Sequence, residues 1–178
     1  MTNRATEYAA TVSWDRSGAP FTDNRYSRAH RWTFDGGTSV AASASPHIVP
    51  VPFSDPVGVD PEEAFIAALS SCHMLWFLSI AAKRGLTVDS YRDRALGYME
   101  MNAEGRLAIT RVVLRPEVRF SGTKVPESTQ LDNMHEEAHQ QCFIANSVRT
   151  LVSVEQVQNA VQHGWQPTEP ERPAHRER

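Results

Sequence analysis

The stretch Asp60–Gly85, DPEEAFIAALSSCHMLWFLSIAAKRG, is the longest predominantly apolar run in the chain, and its reading decides the fold. Asp60 suits a helix N-cap, Pro61 suits the first helical position, where an N–H has no partner, and Glu63 stands where its side chain can close a capping box. At the far end Lys83 and Arg84 suit the negative end of the helix dipole, and Gly85 can take the left-handed conformation that stops it. The pattern predicts a capped helix of about 24 residues, roughly 36 Å long, more than one small domain needs to cover one sheet face. One face carries Phe65, Ala68, Leu69, Cys72, Trp76 and Ile80, another Ala64, Ala67, Met74, Leu75, Leu78 and Ala82. Burial on most sides is expected, with something further packed on the helix. Ser70, Ser71, His73 and Ser79 interrupt the run and two carboxylates begin it, which argues against a membrane span.

On the N-terminal side of this helix, residues 7–16 and 26–34 are rich in strand formers, and Asp35-Gly36-Gly37 turns the second into a third strand at 38–44. Residues 45–59, SPHIVPVPFSDPVGV, hold four prolines and read as an extended loop that forms a plausible site wall. On the C-terminal side, residues 87–100 and 106–120 form a second hairpin about a turn at 102–105, irregular near Gly97. Pro126-Glu127-Ser128 opens a second helix running to about Cys142, and residues 151–154 supply a last strand. This order describes an α+β fold in which antiparallel sheet covers a central helix. A single domain is expected over residues 1–163, and the polar, proline-rich residues 164–178 read as a mobile tail.

The 178 residues carry a net charge of −3, with a pI near 6.2, so nothing electrostatic calls for nucleic acid or an anionic membrane. The N-terminus has no apolar signal-peptide core, and a cytoplasmic location is the expectation. No phosphate loop, nucleophile elbow or dinucleotide fingerprint is present. Cys72 and Cys142 lie 70 positions apart, and a reducing cytosol leaves them as buried thiols, metal ligands or redox groups.

DPEEAFIAALSSCHMLWFL, together with HEEAHQQCFIANSV, resembles the OsmC/Ohr family of cysteine-dependent hydroperoxide reductases, and is closer in spelling to its OsmC-like branch. The resemblance covers residues 7–155 by order of elements. It implies an OsmC-like fold, an intertwined homodimer in which antiparallel sheets wrap two long central helices. It also implies that Cys72 attacks an organic hydroperoxide and becomes a sulfenic acid, that Cys142 resolves it as a disulfide, and that a lipoylated protein or thioredoxin reopens the disulfide. No metal, flavin or nicotinamide is called for. In the family an arginine held by a glutamate favours the thiolate. Glu62 matches the glutamate, since it follows Pro61 ten residues before Cys72, and Arg28 in YSRAH matches the arginine better than Arg25 or Arg31, which read as solvated charges.

Geometry adds a constraint. Ten helical residues set Glu62 and Cys72 about 15 Å apart along the axis, too far to share a site within one copy. An antiparallel second copy would bring its Glu62 beside this Cys72, which predicts an active site at a dimer interface. Trp76 and Phe77 are candidates for an apolar peroxide pocket, with core packing the plainer reading. His73 is a weak candidate base. His135, His139 and Cys142 share a helical face at metal-ligand spacing, without an evident fourth ligand. A binding protein with silent cysteines on the same fold is the main alternative.

Overall fold

The computed structural model describes residues 5–155. The tail expected at 164–178, and residues 156–163 before it, lie outside the described residues. Three short strands open the fold: β1 (Ala10–Ser13), β2 (His30–Phe34) and β3 (Ser39–Ala42) make an antiparallel meander. The loop after it is anchored to β3 at its end, where Ala42 bridges Val59 and Ser43 N–H donates to the Val59 carbonyl at 3.1 Å. Gly58 makes that approach possible, because a Cβ there would stand 2.9 Å from the Ala42 carbonyl carbon.

The central helix α1 spans Pro61–Lys83. Its capping box is complete: Asp60 Oδ1 accepts from Glu63 N–H at 2.7 Å, and Glu63 Oε2 accepts from Asp60 N–H at 3.4 Å. Gly85 ends it at φ 68°, a conformation glycine adopts without steric cost.

The expected second hairpin is bent in its middle. Residues 87–101 divide into β4 (Thr87–Asp93) and β5 (Leu96–Met101), and the returning arm into β6 (Leu107–Leu114) and β7 (Pro116–Ser121). β4 pairs with β7 in one sheet and β5 with β6 in another. Asp93 holds the corner: Oδ1 accepts from Arg115 N–H at 2.6 Å and Oδ2 from Ser70 Oγ of α1 at 2.6 Å. The second helix, α2 (Ser128–Gln141), is followed by a 3-10 turn at Ala145–Ser147, and β8 (Leu151–Val154) pairs parallel to β6.

Two sheets explain the length of α1. Its first half lies on the β5–β6–β8 sheet, where Leu69, Val112 and Leu114 form one core cluster with Phe65 and Ile66 against it. Its second half packs with α2 on the β4–β7 sheet, where Phe77, Ile80, Ala81, Met134 and Ala138 form the other. Burial on most sides is corrected for the single chain. The buried stripe is Leu69, His73, Phe77, Ile80 and Ala81, while Ala67, Ser71, Leu75 and Ala82 on another face are exposed. The helix has the length and apolar composition of a membrane span, yet that stripe packs on sheets and a helix, as the core helix of a globular domain does.

Candidate active site

Cys72 and Cys142 come together from opposite directions. Cys72 sits mid-way along α1 beside the buried stripe, half-buried, and Cys142 caps the C-terminus of α2, 1% exposed. Both are free thiols, and their side chains are within hydrogen-bonding reach. The Cys142 sulfur also accepts the Ala145 N–H at 3.4 Å. Burial, first, and then the hydrogen bond to Cys72 push the Cys142 thiol up to about 11. Cys72 is the more accessible of the two sulfurs, and burial favours the protonated form of Cys142.

One helical turn beyond Cys72, Trp76 meets Phe143 edge-on, with ring centroids 5.5 Å apart. Phe143 is 68% exposed. Phe77 is corrected as a pocket residue: it is wholly buried, packed against Tyr91, Phe120 and His135. It lies about 140° around the helix from Cys72, whereas Trp76, four residues on, stays near the same face. Phe143 was not singled out in the sequence, although its place next to Cys142 was the available signal.

Arg28 and Glu62 are not brought to the sulfurs within one chain. Arg28 bonds inside the N-terminal segment: its guanidinium donates to the Asn24 carbonyl at 3.0 Å, to Asn24 Oδ1 at 2.6 Å and to the Tyr26 carbonyl, and lies 4.0 Å from the Tyr26 ring centroid. Arg25 only overhangs Phe53 at 5.9 Å, and Arg31 donates to Ser39 Oγ at 3.2 Å. Of the three arginines, Arg28 is the one held by several bonds. Glu62 Oε2 is buried and has no hydrogen-bond partner, a costly state for a carboxylate unless a cation or donor reaches it.

His73 faces away from the sulfurs. It and His135 form a buried pair, Nε2 to Nδ1 at 3.0 Å with rings nearly parallel, joining α1 to α2. Burial drives both far down, His73 to about 4 and His135 to about 3, with a neighbouring histidine adding to each effect. Both rings are thus neutral near pH 7. With Asp132, Glu136 and His139, His135 also borders a polar cavity of about 560 Å³ between α2 and β8. HEEAH, residues 135–139, has the spacing of a zinc-binding helix. Among the described residues, though, no three His, Cys, Asp or Glu side chains converge to hold a metal ion. His135 Nδ1 is already used on His73.

A long helix carrying one thiol, laid across two sheets with a second thiol at the end of the neighbouring helix, defines a two-cysteine α+β protein. Residues 54–156 match the family model described as OsmC-like protein, and the chain belongs to that family. It is 58% identical to an OsmC-like protein of unknown function from Vibrio cholerae, with a TM-score of 0.84 over 86% of this chain and all of that one. Two organic hydroperoxide resistance proteins share the fold, each at 16% identity. That of Elizabethkingia anophelis has a TM-score of 0.61 over 86% of this chain and 96% of its own. OhrB of Bacillus subtilis has a TM-score of 0.59 over 85% and 98%. No curated protein matches the sequence.

Proposed function

We propose that this protein is a thiol peroxidase that reduces organic hydroperoxides to alcohols. The observation that carries the reading is the contact between half-buried Cys72 and buried Cys142. Membership of the OsmC-like family and the fold shared with organic hydroperoxide resistance proteins support it. The Cys72 thiolate attacks one peroxide oxygen. The O–O bond breaks, the alkoxide takes a proton to leave as alcohol, and Cys72 becomes a sulfenic acid. Cys142 sulfur then attacks the Cys72 sulfur, the S–O bond breaks, and hydroxide leaves as water with the Cys142 proton. An external dithiol, a lipoylated protein or thioredoxin, exchanges with the disulfide and restores both thiols.

Arg28 stabilises the thiolate and the departing oxygen, and Glu62 orients it. Because neither reaches Cys72 within one chain, both are contributed across a homodimer, with the exposed α1 face of Ala67, Ser71, Leu75 and Ala82 against the second copy. The orphaned Glu62 Oε2 then gains the arginine it lacks. The expected compartment is the cytoplasm, where a dithiol donor is maintained.

Turnover of cumene hydroperoxide with a dithiol tests this reading. Cys72→Ser is expected to abolish it and Cys142→Ser to stop it after one cycle. Full activity of Cys72→Ser would refute the mechanism. A second reading, small-molecule binding without chemistry, is favoured by a cavity of about 430 Å³ lined by Ile66, Ser70, Met74, Tyr91 and Asp93. The Tyr91 hydroxyl is buried there without a partner. Loss of Arg28 would leave such binding nearly intact and remove peroxide turnover.

A further inference from the structure

We propose that Asn24 is a positioning residue for the peroxide reaction, holding the Arg28 guanidinium so that its two remaining N–H groups are left for the Glu62 carboxylate and the reacting anion. The proposal rests on the peroxidase reading above, in which Arg28 meets the thiolate. Asn24 sits at φ 61°, in the left-handed region, which asparagine tolerates better than most residues. That conformation lets one residue present both its backbone carbonyl and its Oδ1 to the same arginine, at 3.0 and 2.6 Å.

The Tyr26 carbonyl takes a third N–H, and the Tyr26 ring supports the guanidinium face. The platform itself is braced. Tyr26 stacks on Phe21 at 4.7 Å and meets Trp14 at 5.3 Å, and Trp14 Nε1–H donates to the Ser27 carbonyl at 2.8 Å. Arg28 N–H donates to the Phe53 carbonyl at 2.8 Å, which ties the arm to the proline-rich loop.

Arginine has five N–H donors in a rigid fork, and three are committed here. An unrestrained surface arginine would have to lose its side-chain freedom during each turnover, whereas this one has lost it in folding. Of the two donors that remain, one can meet the Glu62 carboxylate of the second copy and the other the reacting sulfur or oxygen.

The test uses full-length protein in a Cys142→Ser background, so that Cys72 is the only thiol. Two quantities are read: the pH profile of iodoacetamide alkylation, and the single-turnover rate with cumene hydroperoxide. Asn24→Gly keeps the left-handed turn and the carbonyl while removing Oδ1. It is expected to slow the peroxide step roughly tenfold or more and to move the alkylation profile to higher pH. Asn24→Asp, which restores an Oδ1, is expected to recover both. If Arg28→Gln is impaired while Asn24→Gly matches the parent, the positioning role is overturned and the peroxidase reading stands. A loss in Asn24→Gly that Asn24→Asp does not recover also overturns it, because the effect then belongs to the turn. If Arg28→Gln itself matches the parent, the arginine's role fails and the inference with it.

Discussion

The two sulfurs differ in their surroundings, and so in what each can do. Cys142 is sealed at the end of α2 and keeps its proton, while Cys72 remains accessible beside Trp76 and Phe143. Cys72, Cys142 and Glu62 were singled out in the sequence because the segments that carry them resemble those of the OsmC/Ohr family, and the structure brings the two cysteines together. Asn24, Phe143 and the His73–His135 pair were not legible there, because their meaning depends on contacts between segments distant in sequence or on a backbone angle. The histidine pair has a measurable consequence. Its folded values, about 4 and about 3, lie below the ordinary 6.5. The unfolded chain therefore binds more protons between those limits, and stability falls as pH drops through that window. Urea midpoints should hold above pH 6.5 and decline below it, by no more than about 1.4 kcal/mol per pH unit for each histidine. Replacing both histidines by apolar residues should flatten this decline, and an unchanged slope would contradict the assignment.

Among the elements, α1 was the most legible, because its cap, its first-turn proline and its terminal glycine agree on both ends. Asp60→Ala should remove the capping box and lower stability by about 1 kcal/mol in equilibrium denaturation. The bend that divides the second hairpin left a fainter trace: Pro116, which opens β7 at the corner, and Gly97 just past it in β5. Residues 94–95 carry no turn signal, and Asp93 makes the corner through bonds to Arg115 and Ser70. The segment at 45–59 is a loop, as its prolines indicate, but it is not extended: Ile48 and Val49 N–H donate to the Ser45 carbonyl, Phe53 N–H to that of Pro50 and Gly58 N–H to that of Asp55, so it runs as successive tight turns. Its attachment to β3 needed the structure. Gly58→Ala would push a Cβ into the Ala42 backbone, which has no flexible end to yield. It should cost roughly 1–3 kcal/mol, and hydrogen exchange should quicken at Ser43 and Val59, whose N–H groups form the junction.

At the scale of the whole molecule, one chain holds both sulfurs, yet leaves Glu62 unpartnered and Arg28 bonded elsewhere. The exposed face of α1, with Leu75 63% accessible, is where a second copy is proposed to complete the site. Mixing Cys72→Ser with Glu62→Gln protomers tests the exchange directly. If Glu62 serves the partner's Cys72, each heterodimer contains one intact site and should recover about half the wild-type rate, whereas action within one chain would leave both sites dead. The central claim is the sulfur chemistry, and it is tested most directly by the intact mass of the protein after one equivalent of cumene hydroperoxide. The account predicts loss of two hydrogens, with a Cys72–Cys142 disulfide in the digest, and in Cys142→Ser a Cys72 sulfenic acid trapped by dimedone. Two unmodified thiols after peroxide treatment would contradict it.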